Sequence, residues 1–187
     1  GHTSIVRQEL DGQVMLSQAE KPGEGDAGYD GRQLSVETIY AFAKTVDLAD
    51  IRPILERQVR LNMAIAEEGM ADGYGARVGR TVLEMGQSVA DKAAAYAAAG
   101  SDARMGGCAM PVVINSGSGN QGITASVPVV VFAREEGRTE EELLRALAFS
   151  NLIAIYQKSF IGKLSAYCGA VSAACGSATG IAFLEGA

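Results

Sequence analysis

The stretch that most restricts the fold is the last one, "AYCGAVSAACGSATGIAFLEGA", residues 166–187, made almost wholly of small and apolar side chains. A helix that is small and apolar on every face has no side to offer to water, so it has to be surrounded by other backbone. The rest of the chain agrees with close helix packing. Hydrophobic residues make up 48% of the 187, but much of that is alanine, and aromatics are only 6%. Alanine is the strongest helix former, and chains rich in it favour closely packed helices. The tail stops without a polar run or a clear cap, and the start is equally abrupt, although Gly1 alone fits a tag scar. The expectation is a fragment of a longer chain, truncated at both ends.

Ahead of the tail, local signals place further elements. In "TSIVRQELDGQVMLSQ" two β-leaning runs flank Asp11-Gly12, a pair that supplies the positive φ angles of a tight hairpin turn. Residues 20–34 hold four glycines and a proline and read as a linker. Ser35 can cap a helix to about Val46, and Asp47 or Asp50 can cap another to about Met70. In the latter, Ile51, Leu55, Val59 and Met63 recur at helical spacing, and Glu56 stands four residues before Arg60. "ADGYGARVG" interrupts, and "SVADKAAAYAAAG" reads as a helix closed by Gly100. Thr139 with Glu142 forms a capping box ahead of Leu143, Leu144, Leu147, Ala148 and Leu152. Apolar runs 109–114 and 127–133 suit either helices or strands, since periodicity does not decide for runs this short. The fold class expected is mainly α-helical with an N-terminal β-hairpin or small sheet (α+β). It divides into a hairpin and linker over 1–34 and a helical domain over 35–187.

Composition excludes several functions. Net charge is −6 with no basic run, which argues against nucleic acid as a partner. No apolar stretch approaches the roughly 18–20 residues needed to span a bilayer, and no signal peptide is present. Three cysteines, an odd number, fit a reducing cytoplasm better than a disulfide framework. His2 is the only histidine, which rules out a multi-histidine metal site within the chain and makes a Ser-His-Asp triad improbable.

Between two apolar runs lies "NSGSGNQG", residues 115–122, uncharged and rich in donors. Backbone N–H groups freed by Gly117, Gly119 and Gly122 can converge on an anion, and a following helix adds its dipole. Asn115, Ser116, Ser118, Asn120 and Gln121 can fix a carboxylate or phosphate without a full charge. Neither nucleotide-binding glycine fingerprint fits, and a tight connection between buried segments is the plain alternative. Cys168 and Cys175 lie seven residues apart, two turns along one helix face. They read either as small buried hydrophobes or as thiolate ligands of a soft metal or iron–sulfur cluster, with Cys108 a third candidate. Lys158 and Lys163 read as snorkelling surface residues or as a base or carboxylate clamp, with Lys163 the candidate catalytic residue. Asp102 and Arg104 suit an exposed pair or a pocket lining. Asn62, Glu67 and Glu68 add polar groups to an apolar-striped helix, Asn62 the least expected of them, with a solvated face the default.

Three segments together resemble one family: "LNMAIAEEGM", "YAAAGSDARMGGCAMPVVINSGSGNQGITASVPVVVFA" and "FIGKLSAYCGAVSAACGSATGIAFL". They look like the L-cysteine desulfidases, related to the α-chain of iron–sulfur L-serine dehydratases, and the likeness covers nearly the whole chain from about residue 35 on. The opening "GHTSIVRQELDGQV" is similar to the same family's hairpin. The resemblance implies a lyase that eliminates the β-substituent of L-cysteine, giving hydrogen sulfide, ammonia and pyruvate, or of L-serine, giving ammonia and pyruvate. It implies a 4Fe-4S cluster held by three cysteines, with one open iron acting as a Lewis acid. Cys168 best matches a ligand cysteine and Cys175 comes second; the loop of residues 115–122, with 115–121 as the binding residues, would form the substrate site and hold the carboxylate and the amino group. The family's Gly-Cys-Thr-Glu-Pro and Cys-Asp-Gly segments are missing here, so the cluster is expected to be absent or incomplete and this stretch inactive alone. The implied partner is a small L-amino acid, and a homo-oligomer stays open. Two rivals remain: a pyridoxal-phosphate dehydratase, which also has a Ser-x-Gly-Asn loop but needs a Schiff-base lysine, and a non-catalytic helical small-molecule-binding or scaffold module that has lost the cluster.

Overall fold

Asp11 and Gly12 both take positive φ, 50° and 82°, and close a hairpin between β1 (Arg7–Leu10) and β2 (Gln13–Ser17). The strands pair antiparallel, with an irregularity between Gln8 and Glu9. This is the primed turn that an Asp-Gly pair allows. The computed structural model describes residues 6–17, 34–71, 73–161 and 166–186. The linker expected at 20–34 therefore lies almost wholly outside the described residues. The chain divides into two compact units, Gly1–Gly31 and Arg32–Ala187.

The second unit is helical: α1 (Val36–Thr45), α2 (Leu48–Ala71), α3 (Val78–Met85), α4 (Val89–Met105), α5 (Gly119–Glu135), α6 (Glu140–Ile161) and α7 (Gly169–Glu185). The mainly helical class with a small N-terminal sheet holds. The caps follow the sequence. Ser35 Oγ accepts from Thr38 N at 3.2 Å, Asp47 Oδ1 accepts from Ala49 N at 2.9 Å, and Glu142 Oε2 accepts from Thr139 N at 2.8 Å. No helix of the described residues is long and apolar enough to cross a membrane.

Helix α5 is the axle. It packs against α2, α4, α6 and α7, and Ile123, Val127, Val129 and Val130 along it are fully buried. Run 127–133 is thus helical, around an internal Pro128, whereas 108–114 is extended without a strand partner. Tyr40, Phe149 and Phe183 meet edge-on or tilted, with ring centroids 5.6–5.7 Å apart, and tie α1 to α6 and α7.

Three expectations change. Gly100 does not end its helix: α4 continues to Met105, and Gly106 follows it. Gly100 is small because a Cβ there would sit 3.3 Å from the Ala66 backbone of α2, so the residue serves packing and not a cap. Helix α3 begins before the expected interruption at 71–79 is over, because its cap is remote: Asp102 Oδ2 accepts from Val78 N at 2.8 Å. Helix α7 is not enclosed on every side. Ala173, Gly176, Ser177 and Gly180 are buried, while Val171, Ala174, Cys175 and Ala178 are exposed.

The buried face of α7 approaches α6 so closely that a Cβ at Gly176 would lie 2.5 Å from Ser150 O. Gly176→Ala should therefore cost about 1–3 kcal/mol through overpacking. Ala178→Ser, on the exposed face, should stay within about 0.5 kcal/mol. Urea denaturation of the two variants checks this; equal midpoints would contradict the packing described.

Candidate functional site

The extended segment 108–114 has backbone groups that no neighbouring strand pairs. Side-chain amides take that role. Asn62, fully buried on α2, donates from Nδ2 to Val113 O (3.1 Å) and to Ser126 Oγ (3.0 Å), and its Oδ1 accepts from Val113 N (2.8 Å). Asn62 is thus no solvated polar residue; it reads the backbone of Val113 as a strand would. Of its helix neighbours, Glu67 pairs at the surface with Arg134 (3.7 Å) and Glu68 accepts from Tyr74 Oη (3.4 Å).

Two residues further on, a second amide set fixes the turn. Gln58 and Asn151 exchange two hydrogen bonds of 2.9 and 2.8 Å, and Asn115 Nδ2 donates to Asn151 Oδ1 at 3.0 Å. Asn115 is buried, and Ser116 Oγ donates to its Oδ1 at 2.8 Å. Asn115 and Ser118 then exchange backbone bonds of 3.1 and 3.0 Å around Ser116 and Gly117, whose φ values are 49° and 83°. Only the first half of "NSGSGNQG" is a turn, and it is a closed one. Gly119, Asn120, Gln121 and Gly122 already form the first turn of α5, with Ser118 as N-cap. Two of its glycines serve close approach: a Cβ at Gly122 would lie 2.0 Å from Val113 O, and one at Gly119 would lie 2.2 Å from Arg104 Nε.

Arg104 therefore lies against the N-terminus of α5. Its Nη1 donates to Asn120 Oδ1 at 3.2 Å and contacts Met105 Sδ at 3.5 Å. Among the described residues no carboxylate pairs with it. A helix N-terminus carries partial positive charge and orphan N–H groups, so a cation beside it is unfavourable until an anion arrives. Of the two readings open for Asp102 and Arg104, the exposed pair does not form, since Asp102 caps α3. Arg104 is the residue that sequence reading underweighted, and the signal for it was the glycine at 119.

On the other flank, Gln121 reaches α7. A Cβ at Gly169 would stand 2.4 Å from Gln121 Nε2, so Gly169 makes room for this side chain. Gln121 is 6% exposed, and its Oε1 is buried with no hydrogen-bond partner among the described residues. Next to Gly169, Cys168 is the N-cap of α7 and is exposed. Backbone N–H groups of Val171 and then Ala170 hold its thiol below the ordinary cysteine range. Cys175 lies two turns along the same helix, about 10 Å by helical rise. Cys108 is half-buried in the segment after α4. Among the described residues no group of three His, Cys, Asp or Glu side chains is placed to hold a metal ion. Lys163 lies outside the described residues, and Lys158 sits half-buried in the last turn of α6. The amides of Gln58, Asn115 and Asn151 also border an apolar cleft of about 340 Å³ between α2 and α6, but their own bonds leave none of them free.

A depressed thiol pKa means that thiolate persists to lower pH. Iodoacetamide labelling of the Cys168 peptide in the folded full-length protein should reach half its maximal rate at lower pH than in urea. Coincident pH profiles, read by mass spectrometry, would contradict a lowered thiol pKa at Cys168.

A model of the serine dehydratase alpha chain family matches residues 6–187. A UPF0597 protein of Lachnoclostridium phytofermentans is 54% identical over 186 residues, which cover 99% of this chain and 44% of that protein. UPF0597 proteins of Fusobacterium nucleatum (48% over 192 residues) and Bacteroides thetaiotaomicron (45% over 192) are similar across 99% and 100% of this chain, and 45% and 44% of their own lengths. This chain thus spans less than half the length of these curated relatives. No solved structure matches it. With a family match over nearly the whole chain and relatives near half-identical, the chain belongs to the serine dehydratase alpha chain family.

Proposed function

We propose that the first turn of α5 holds the carboxylate of a small L-amino acid in a lyase that eliminates its β-substituent, with L-cysteine or L-serine as substrate. The observation that carries this reading is Arg104, a cation lodged against a helix N-terminus with no carboxylate of the described residues beside it. A substrate carboxylate supplies the missing charge. Arg104 offers a fork of donors, the first-turn N–H groups of α5 add two more, and Asn120 fixes the guanidinium through Oδ1. The closed turn at Asn115–Ser118 keeps these donors in place before substrate arrives.

The reaction balances without an oxidant. A base takes the Cα proton, a role proposed for Lys163; that electron pair forms the Cα–Cβ double bond, and the Cβ–S or Cβ–O bond breaks. Sulfide or hydroxide leaves with a proton, and 2-aminoacrylate remains. It tautomerises to the imine, and water hydrolyses it to pyruvate and ammonium. Cys168 suits one ligand position of an iron–sulfur cluster, since it is exposed, thiolate-prone and next to the same helix ends. The described residues supply no complete ligand set. Bound there, such a cluster would supply a Lewis-acidic iron for the leaving group. Cys175 is proposed as a second, less favoured ligand. Free thiols and a cluster of this kind fit a reducing cytoplasm.

A pyridoxal-phosphate reading gains no support from Lys92 or Lys44. Lys92 is ion-paired with Glu135, and Lys44 stands 5.0 Å over the Tyr40 ring.

The test is anaerobic reconstitution of the full-length protein with iron and sulfide, followed by pyruvate assays on both amino acids. Arg104→Met should raise KM about 10–100-fold, the loss of a charged hydrogen bond, and Asn120→Ala about 3–10-fold. No pyruvate from either amino acid with a cluster present would sink the reaction and favour a non-catalytic binding module. Pyruvate formation with KM unmoved in Arg104→Met would sink the site.

A further inference from the structure

Phe42 of α1, Ile54 of α2, Leu152 and Ile155 of α6 and Ile114 of the extended segment wall the cleft of about 340 Å³ between α2 and α6. None of the residues that line it is charged, although 20% of the chain is. Three of its large apolar side chains stand open: Ile54 is 64% exposed, Ile114 58% and Phe42 43%. On α2 the contrast is local. Glu56, Arg57 and Arg60 also face outward there and give water the charged surface that an exposed helix normally shows, whereas Ile54 does not. Large apolar side chains gathered open around one concavity mark a surface that another element covers.

The polar end of the cleft says what kind of element. Gln58, Asn115 and Asn151 are bonded to one another, and Ser116 donates to Asn115, so nothing there calls for a charged occupant. The backbone beside them is spent as well. Val113 N–H and C=O are taken by Asn62, and those of Asn115 by Ser118. An extended peptide laid in the cleft would find no edge to pair with and would bury its own N–H and C=O groups unpaired. A helix satisfies its backbone internally and brings only side chains. As for where such a helix comes from, the relatives match this stretch over 99–100% of its length, yet more than half of each relative lies outside the match. A segment on the same chain is present at a high effective concentration, which a second molecule has to reach by association.

We propose that the cleft between α2 and α6 seats an apolar helix from the part of the full-length chain outside these 187 residues. The inference stands apart from the amino-acid reading, since it needs neither Arg104 nor the first turn of α5. Seated there, the helix shields the Gln58–Asn151–Asn115 bonds from water and strengthens them, and so firms the turn they hold.

The test uses the full-length protein with Ile54→Cys in the cleft and Arg60→Cys on the outward face of the same helix. Iodoacetamide labelling of each peptide is followed by mass spectrometry, folded and in urea. Ile54→Cys should label at least about 10-fold more slowly folded than unfolded, and Arg60→Cys within about 3-fold. Labelling of Ile54→Cys as fast as Arg60→Cys would overturn the proposal. A second measurement identifies the occupant. Protein grown with photo-leucine, half of it isotope-labelled, is irradiated and the crosslinks from Leu152 are mapped. They should reach a peptide of the same molecule outside these 187 residues. Crosslinks that join two molecules would assign the cleft to a second copy, and crosslinks confined to residues 1–187 would leave it without the proposed helix; either result overturns the assignment.

Discussion

Asn62 is the interaction on which the rest depends. A fully buried amide is costly unless every polar atom finds a partner, and here one side chain bonds both the N–H and the C=O of Val113 and also the Ser126 hydroxyl. Ser126 in turn donates to Gly122 O at 2.7 Å, so the clamp reaches the first turn of α5. This fixes the register of an extended segment that has no strand beside it. Once Val113 is fixed, its carbonyl stands where only glycine fits at 122, and α5 has to begin where it does. The Gln58–Asn151–Asn115 set repeats the device one step along and closes the turn. The buried amides are thus the frame that aims the donors of α5.

Against that frame the electrostatics are one-sided. Asp102 is spent on α3, and Arg104 is left with a neutral amide and a thioether. A fold selected for stability alone would place a carboxylate there, since a cation at a helix N-terminus opposes the dipole. Tension of this kind marks functional sites, where local stability is exchanged for a prearranged field.

Much of the fold was legible in the sequence because its signals are local. Asp11-Gly12, Ser35, Asp47 and the Thr139–Glu142 box each act within a few residues, and each element begins where they place it. The misses share a cause as well. Helix α3 has its cap 24 residues away, and Gly100 is dictated by Ala66 on another helix. For the loop, sequence supplied the glycines but not their reasons. Gly117 is there for its positive φ, whereas Gly119 and Gly122 are there for Arg104 and Val113. Asn62 reads as surface by helix pattern alone, because the strand-like segment it serves is far along the chain.

The central claim is that α5's first turn, with Arg104 beside it, receives a carboxylate. The most direct measurement is a crystal structure of the full-length protein with L-alanine bound. The account predicts its carboxylate on the Arg104 guanidinium and the N–H groups at the start of α5. An L-alanine molecule seated instead in the apolar cleft between α2 and α6, with Arg104 untouched, would contradict it.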